Sequence, residues 1–254
     1  MNWAATEGTP VPLGVTWFPE DQAYNFALYS EHAEGVALLV YGDDVSTPVC
    51  RYVFDHLRNK SGRVWHCRIP KDVISSARYY AYCVSGPRPT GASKWHTFDP
   101  KKLLLDPYAT SVFFPATYDR AAAARPGSNA GKAPLGFLCA CESEFDWSGD
   151  RRPRHESDTI IYEMHVRAFT RSPTSGVPEA ARGTYVGVIE KIPYLKELGI
   201  TAVELMPVLQ NDPQEGSQWG YMPLNFFAPE QRYARSGPLC GQHDEFREMV
   251  KALH

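Results

Sequence analysis

Two mostly apolar segments in the second half of the chain, with a helical pattern between them, constrain the fold most. They are residues 159–166 (TIIYEMHV) and 200–206 (ITAVELM). Apolar runs without alternation are typical of parallel strands buried on both faces. The helical pattern comes from apolar residues at helical spacing, namely Val188, Ile189, Ile192, Leu195 and Leu198. Pro193 should interrupt this helix and Gly199 should end it, because proline lacks a backbone donor and glycine accepts a left-handed conformation.

A second helix is predicted near the end of the chain. It should begin near Asp244, a residue that caps helix starts well. One apolar stripe follows, formed by Phe246, Met249, Val250 and Leu253. The order strand–helix–strand–loop–helix indicates the start of a parallel α/β fold, either a barrel or a doubly wound sheet.

The first ~110 residues carry a different pattern, in which short strands alternate with turns. The predicted strands are Tyr24–Tyr29, Val36–Tyr41, Cys50–Phe54, Val64–Ile69 and Tyr79–Val84. Turn-forming residues separate them, as at 42–44, 59–62 and 86–87. Such spacing without helical periodicity predicts an antiparallel, immunoglobulin-like β-sandwich over residues 1–110. Residues 111–157 are rich in proline and glycine and are predicted to be an irregular connector. Leu103–Leu105 and Phe113–Phe114 should pin the region around the connector to another surface.

Composition excludes some classes of partner and leaves others open. Hydrophobic residues make up 43% and charged residues 22% of the chain, and the formal net charge is −3. A slightly acidic chain argues against nucleic acid and against an anionic membrane, and it suits a neutral ligand. No stretch approaches the roughly 18 apolar residues of a membrane helix, and residues 1–8 lack the features of a signal peptide.

The cysteines are scattered and lack zinc-ligand spacing, so reduced thiols in a cytoplasmic protein are predicted. They are Cys50, Cys67, Cys83, Cys139, Cys141 and Cys240. No metal site and no cofactor are predicted.

Several phrases in the sequence resemble one enzyme family in order. Ile161–Thr170 (IYEMHVRAFT) resembles the first barrel strand of isoamylases and bacterial glycogen-debranching enzymes of the α-amylase superfamily, which often have glycine at the position of Ala168. Segments 183–185, 195–208 and 219–229 resemble their first helix, second strand and following loop. Segments 13–17, 25–33 and 103–109 resemble the carbohydrate-binding-module-48-like sandwich that precedes the barrel.

The resemblance implies a retaining hydrolase of α-1,6 branch linkages in glycogen or another branched α-glucan. In that family two carboxylates about 5 Å apart act as nucleophile and acid/base, and a third acid steadies the sugar. They follow the fourth, fifth and seventh strands of a (β/α)8 TIM barrel. Residues 158–254 would supply only the first two β/α units, so no residue of this chain is assigned as catalytic, and the chain is expected to be inactive alone. Branching enzymes and trehalose-releasing hydrolases share this architecture and remain alternatives.

Three residues are candidates for substrate binding. Tyr221 corresponds to the family tyrosine that stacks on the sugar beside the cleaved bond, and aromatic faces suit the apolar faces of sugars. Trp219 is a weaker companion that could instead pack within its loop. His165 lies toward the end of the first strand, where barrel active sites form, and could equally be a structural histidine.

Other residues that could suggest a site have structural interpretations. Glu163 and Glu204 lie within the predicted buried strands and are interpreted as structural acids. The aromatic residues of the sandwich are interpreted as core rather than as a sugar-binding face; they are Trp17, Tyr52, Trp65 and the Tyr79–Tyr82 cluster. Residues 151–154 (RRPR) are a solvated linker. Two alternatives remain open: a non-catalytic glucan-binding module, or one chain of a split enzyme.

Overall fold

The computed structural model describes residues 7–91, 94–139, 145–155, 157–236 and 241–254. The predictions about residues 1–6, Cys141 and Cys240 lie outside these ranges. The chain divides into two compact units, Met1–Glu142 and Ser143–His254, each described here by itself.

The first unit is an antiparallel β-sandwich, as predicted. The described residues of this unit form the strands β1 (Gly14–Phe18), β2 (Ala23–Tyr29), β3 (Gly35–Tyr41), β4 (Cys50–Val53), β5 (Lys60–Ser61), β6 (Val64–Pro70), β7 (Tyr79–Ser85), β8 (Val112–Phe113) and β9 (Leu135–Phe137). One sheet has the order β1-β2-β6-β5 and the other β4-β3-β7-β9-β8. A short 3-10 helix spans Arg120–Ala123.

The core lies between the two sheets and is largely aromatic. Phe26 from one sheet contacts Tyr80 from the other sheet in an edge-to-face arrangement, with ring centroids 5.5 Å apart. Trp65, Tyr80 and Tyr82 are at most 1% exposed, and Trp17 and Tyr52 pack against the same cluster. The interpretation of these aromatics as core is confirmed.

The predicted connector is less irregular than its composition indicated. Its residues supply β8 and β9, and β9 pairs with β7 by bringing Phe137 opposite Tyr79. Phe113 stacks on Tyr79 at 4.1 Å, and Leu103 belongs to a second apolar cluster on this sheet. The predicted pinning is therefore confirmed, and the surface is the sandwich's own sheet. The proposed domain limits of 110 and 157 differ from the break between the two compact units.

The cysteines depart from the prediction at one position. Cys50, Cys67 and Cys83 carry free thiols, whereas Cys139 is disulfide-bonded. The expectation that all six thiols are reduced is therefore wrong.

The second unit begins with two parallel strands, β10 (Ile161–Met164) and β11 (Ala202–Leu205). Its helices are α1 (Val166–Arg171), α2 (Tyr185–Glu190), α3 (Ile192–Glu197) and α4 (Gly241–Leu253). Short 3-10 helices span Pro173–Ser175, Glu179–Ala181 and Gln231–Tyr233. Parallel strands with helices between them are the predicted opening of an α/β barrel.

The helix between the strands is interrupted as predicted. Lys191 separates α2 from α3, and Pro193 lies in the first turn of α3. Gly199 has φ +81°, and the amides of Gly199 and Ile200 donate to the carbonyls of Lys196 and Leu195. These two bonds form a Schellman motif that ends the helix.

Two other details of this unit differ from the prediction. Residues Ile161 and Glu163 of β10 and Glu204 of β11 are exposed, so burial on both faces is wrong within the described structure. The reason is that the described sheet of this unit has two strands, β10 and β11. Helix α4 begins at Gly241 rather than near Asp244, but its predicted stripe packs inward, with Met249 fully buried.

Candidate functional site

The parallel pairing brings two segments to one edge of the sheet. Met164 pairs with Leu205 at the carboxyl ends of the strands, and the amide of Met206 donates to the carbonyl of Met164 at 2.9 Å. His165 follows β10 and the loop 206–230 follows β11, so both leave the sheet at the edge where barrel enzymes build their sites.

His165 is the first residue beyond β10 and caps α1. The sequence interpretation placed it inside the strand, but its Nδ1 accepts hydrogen bonds from the amides of Arg167 and Ala168 at 3.1 and 3.2 Å. Because Nδ1 accepts, the proton lies on Nε2, which donates to the carbonyl of Gln218 at 2.7 Å. His165 thus joins the start of α1 to the loop after β11, which is the structural role left open above.

A buried polar side chain shapes the loop after β11. Asn225 is 2% exposed, and its Oδ1 accepts from the amides of Phe227 and Ala228 at 2.7 and 2.9 Å. Gly220 has φ +79°, and a Cβ there would lie 3.2 Å from the carbonyl oxygen of Pro207. The loop is therefore folded back against its own start.

Glu230 anchors the far end of the loop. It is 1% exposed and accepts hydrogen bonds from the amide of Asn211 at 3.1 Å and from Nε of Arg232 at 2.9 Å. Buried carboxylates are stable only when paired in this way. The hydroxyl of Tyr185 also donates to the carbonyl of Glu230 at 3.2 Å, so the loop end is tied to α2.

This anchoring presents two of the predicted site aromatics to solvent. Trp219 is 62% and Tyr221 is 59% exposed. Burial of this much apolar ring surface would be favourable, but within the described structure both rings remain largely exposed. Rings held outward on an anchored loop are suited to receive an apolar ligand face.

A cavity of about 910 Å³ brings together two of the three predicted residues, His165 and Trp219. Tyr221 is not among its lining residues. Tyr233 also lines it, with its hydroxyl 3.1 Å from Nε2 of His165. Burial raises the pKa of Tyr233 to about 12, with Glu230 adding to the effect, so this hydroxyl is neutral at ordinary pH.

Glu163 and Glu204 do not form a buried carboxylate pair. They stand opposite each other in the strand register, and both are exposed. The described residues give neither an ion pair. Two like charges side by side in water cost little and imply no acid–base role.

The sequence interpretation missed Glu230 and the three arginines of the cavity, Arg167, Arg171 and Arg232. The available signal for Glu230 was its position before the short 3-10 helix Gln231–Tyr233. Its side chain caps that helix by accepting from the amide of Arg232 at 3.1 Å. Among the described residues no group of three or more His, Cys, Asp or Glu side chains is placed to hold a metal ion. In the same part of the chain no helix has the length and apolarity to cross a membrane.

Comparison with known proteins adds two family matches. Residues 12–109 match carbohydrate-binding module 48 (isoamylase N-terminal domain). Residues 161–254 match the alpha amylase catalytic domain. The two matches correspond to the sandwich and to the parallel α/β unit.

Similar proteins cover almost all of this chain. Isoamylase 3, chloroplastic, of Oryza sativa subsp. japonica is 38% identical over 279 residues, covering 100% of this chain and 34% of that protein. The glycogen debranching enzyme of Klebsiella pneumoniae (strain 342) is 37% identical over 260 residues, covering 97% of this chain and 37% of the enzyme. The chain thus spans about a third of the length of these relatives.

Solved structures share the fold at lower identity. The catalytic module of the multi-modular glycogen-degrading pneumococcal virulence factor SpuA has a TM-score of 0.71 at 23% identity, covering 98% of this chain and 36% of that one. The GBS pullulanase SAP in complex with maltotetraose has a TM-score of 0.68 at 22% identity, covering 96% and 32%.

Proposed function

Because this chain belongs to the α-amylase superfamily, among the isoamylases and glycogen-debranching enzymes, we propose that its protein hydrolyses α-1,6 branch linkages. The substrate would be glycogen or another branched α-glucan. Since the chain spans about a third of its relatives, the activity is proposed for the whole protein. The chemistry would follow the retaining route of two carboxylates, on strands of the same barrel other than β10 and β11.

The observation that carries the proposal is the anchored loop at the carboxyl edge of the sheet. It holds Trp219 and Tyr221 outward, with Trp219 lining the same cavity as His165, and a neutral sugar ring can stack on such faces while its hydroxyls hydrogen-bond at the rim. We assign stacking to Tyr221, supporting contact to Trp219, and positioning of the loop to His165. His165 acts by holding Gln218, one residue before Trp219.

The test uses the intact protein with Tyr221→Ala and amylopectin as substrate. Loss of a stacking face should lower the release of linear chains about tenfold or more, equivalent to about 1.4 kcal/mol. Tyr221→Phe should retain most activity, because the ring face remains. The matched control is Tyr194→Ala, which removes another exposed tyrosine of the same unit, on α3.

Two results would contradict the proposal. One is an intact protein that releases no linear chains from amylopectin. The other is a Tyr221→Ala variant as active as the Tyr194→Ala control, which would remove Tyr221 from the binding site.

A second candidate function is glucan binding without hydrolysis, favoured by the match of residues 12–109 to a carbohydrate-binding module. The chain should then migrate more slowly in native gels containing glycogen than in gels without it. Unchanged migration at every glycogen concentration would refute binding by this chain.

A cytoplasmic location is also proposed. The free thiols of Cys50, Cys67 and Cys83 suit a reducing compartment, while the disulfide at Cys139 argues the other way. Cell fractionation decides the point, and recovery outside the cytoplasmic fraction would contradict the proposal.

A further inference from the structure

The cavity beside His165 carries a concentration of positive charge that a neutral glucan does not require. Three arginines line it, Arg167, Arg171 and Arg232, and its lining includes no Asp or Glu side chain. Arg232 is paired with Glu230 at 2.9 Å. Across the described residues, no carboxylate lies within ion-pair distance of Arg167 or Arg171.

The fold forces these two unpaired arginines together. They are four residues apart on α1 and therefore share one face of the helix. Both side chains pass over Gly183, where a Cβ would lie 3.2 Å from Cγ of Arg167 and 3.7 Å from Cδ of Arg171. Gly183 has φ +74°, a conformation that favours glycine, so the absence of a side chain there leaves room for both arginines.

The crowding has an electrostatic cost. Burial, followed by the charges of Arg171 and Arg232, lowers the pKa of Arg167 from its usual value. Guanidinium groups remain charged in proteins, so the strain cannot be relieved by loss of a proton. Like charges at this helical spacing destabilise a helix, and a bound anion would remove the repulsion.

We propose that this cavity binds a phosphate monoester carried on a sugar, with Arg167 and Arg171 holding the phosphate and Trp219 packing on the sugar ring. Guanidinium groups match phosphate oxygens with paired hydrogen bonds. The exposed indole of Trp219 lines the same cavity and supplies the apolar face that a sugar ring needs. A volume of about 910 Å³ lies within the usual range for small-molecule sites.

The same chemistry could come from a free sugar phosphate or from a phosphate ester on a glucan chain. This inference goes beyond the proposed hydrolysis, and its test measures binding without turnover. Titration calorimetry on the intact protein at low ionic strength would use glucose 6-phosphate, glucose, inorganic phosphate and unbranched maltotriose with and without a 6-phosphate. None of these ligands has a branch linkage, so an inactive protein can still show binding.

Glucose 6-phosphate should bind more tightly than both glucose and inorganic phosphate, and added salt should weaken its binding. Tighter binding of phosphorylated maltotriose than of glucose 6-phosphate assigns the site to a glucan ester, and the reverse order assigns it to a free sugar phosphate. Equal affinity for inorganic phosphate and glucose 6-phosphate would overturn the sugar assignment. Absence of binding by both phosphorylated sugars would overturn the proposal.

Variants locate the site. Arg171→Gln and Arg167→Gln should each weaken glucose 6-phosphate binding about tenfold, the value of one charge-assisted hydrogen bond, while Arg171→Lys should retain part of the affinity. The matched control is Arg247→Gln, which removes another arginine of the same unit, one that pairs with Asp244. Circular dichroism establishes that each variant is folded. Equal affinities for Arg171→Gln, Arg167→Gln and Arg247→Gln would place the anion elsewhere and refute the assignment.

Discussion

Asp106 should make the sandwich less stable as the pH rises, and Asp106→Asn should remove that effect. Asp106 is 0% exposed. Its Oδ2 accepts from the hydroxyl of Tyr80 at 2.8 Å, and its Oδ1 accepts from the amide of Tyr108 at 2.9 Å. Asparagine keeps the shape and an acceptor for the Tyr108 amide, but it cannot ionise.

The magnitude follows from the shift of one carboxyl. Burial raises the pKa of Asp106 from 3.8 to about 6, against a smaller opposing effect of its hydrogen bonds. Between these values the folded state holds a proton that the unfolded chain has lost, so stability falls as the pH rises. The contribution is fully present below about pH 4 and is lost above about pH 6. It amounts to about 3 kcal/mol, since each pKa unit corresponds to about 1.4 kcal/mol.

The assay compares the free energies of unfolding of the two proteins from pH 4.5 to 7.5. Urea titrations that are monitored by hydrogen exchange in peptides from β3 and β7 report on the sandwich unit itself. The advantage of Asp106→Asn over the unchanged protein should grow by about 2 kcal/mol across this range, because part of the contribution is already lost at pH 4.5. Asp43→Asn is the control, because that side chain is 83% exposed. A difference that stays constant with pH for Asp106→Asn would refute the reasoning.

Three further substitutions test the second unit through its thermal unfolding. Gly187→Ala should destabilise it by about 1–3 kcal/mol, because a Cβ there would lie 2.3 Å from the carbonyl oxygen of Ala181; an unchanged Tm would contradict that packing. Glu230→Ala should cost about 1–3 kcal/mol, mainly by leaving the buried amide of Asn211 without its acceptor, and a loss below about 1 kcal/mol would show that water replaces the carboxylate. Gly199→Ala should cost about 1 kcal/mol through backbone strain alone, since no atom lies within 4 Å of its Cβ position; a larger loss would reveal a hidden contact.

Regular periodicity made the long elements predictable from the sequence. The strands β2, β3, β6 and β7 and the interruption at Lys191 follow from local residue preferences, which act within a few neighbours. The two-residue strand β8 and the three-residue strand β9 are too short to carry a period. The sequence pattern indicated a loop at Gly136, which lies in β9. A Cβ at this position would lie 2.5 Å from Cε1 of Tyr80. That close approach depends on a residue far away in the sequence.

The residues of the candidate site likewise divide into those that the sequence predicted and those that it did not. Trp219 and Tyr221 stood out because their exposed loop carries a recognisable phrase. The task of His165 as a helix cap depends on where β10 ends, and element ends are poorly defined by local pattern. The burial of Glu230 depends on its tertiary contact with Asn211, which sequence spacing does not reveal. Arg167 and Arg171 share a helix face by their spacing, but their packing over Gly183 depends on the fold.

The position of β9 beside β7 determines how this protein can be divided. The family match for the sandwich ends at residue 109, but Tyr79 and Tyr80 are completed by partners from Leu135–Phe137. A module excised at residue 109 would present bare backbone donors at this edge and lose the rings of Phe113 and Phe137 from Tyr79, both of which favour aggregation. During synthesis the same edge stays open until Phe137 has emerged from the ribosome. The unit that can be transplanted to another protein therefore extends at least to Leu138, whose amide donates to the carbonyl of Arg78.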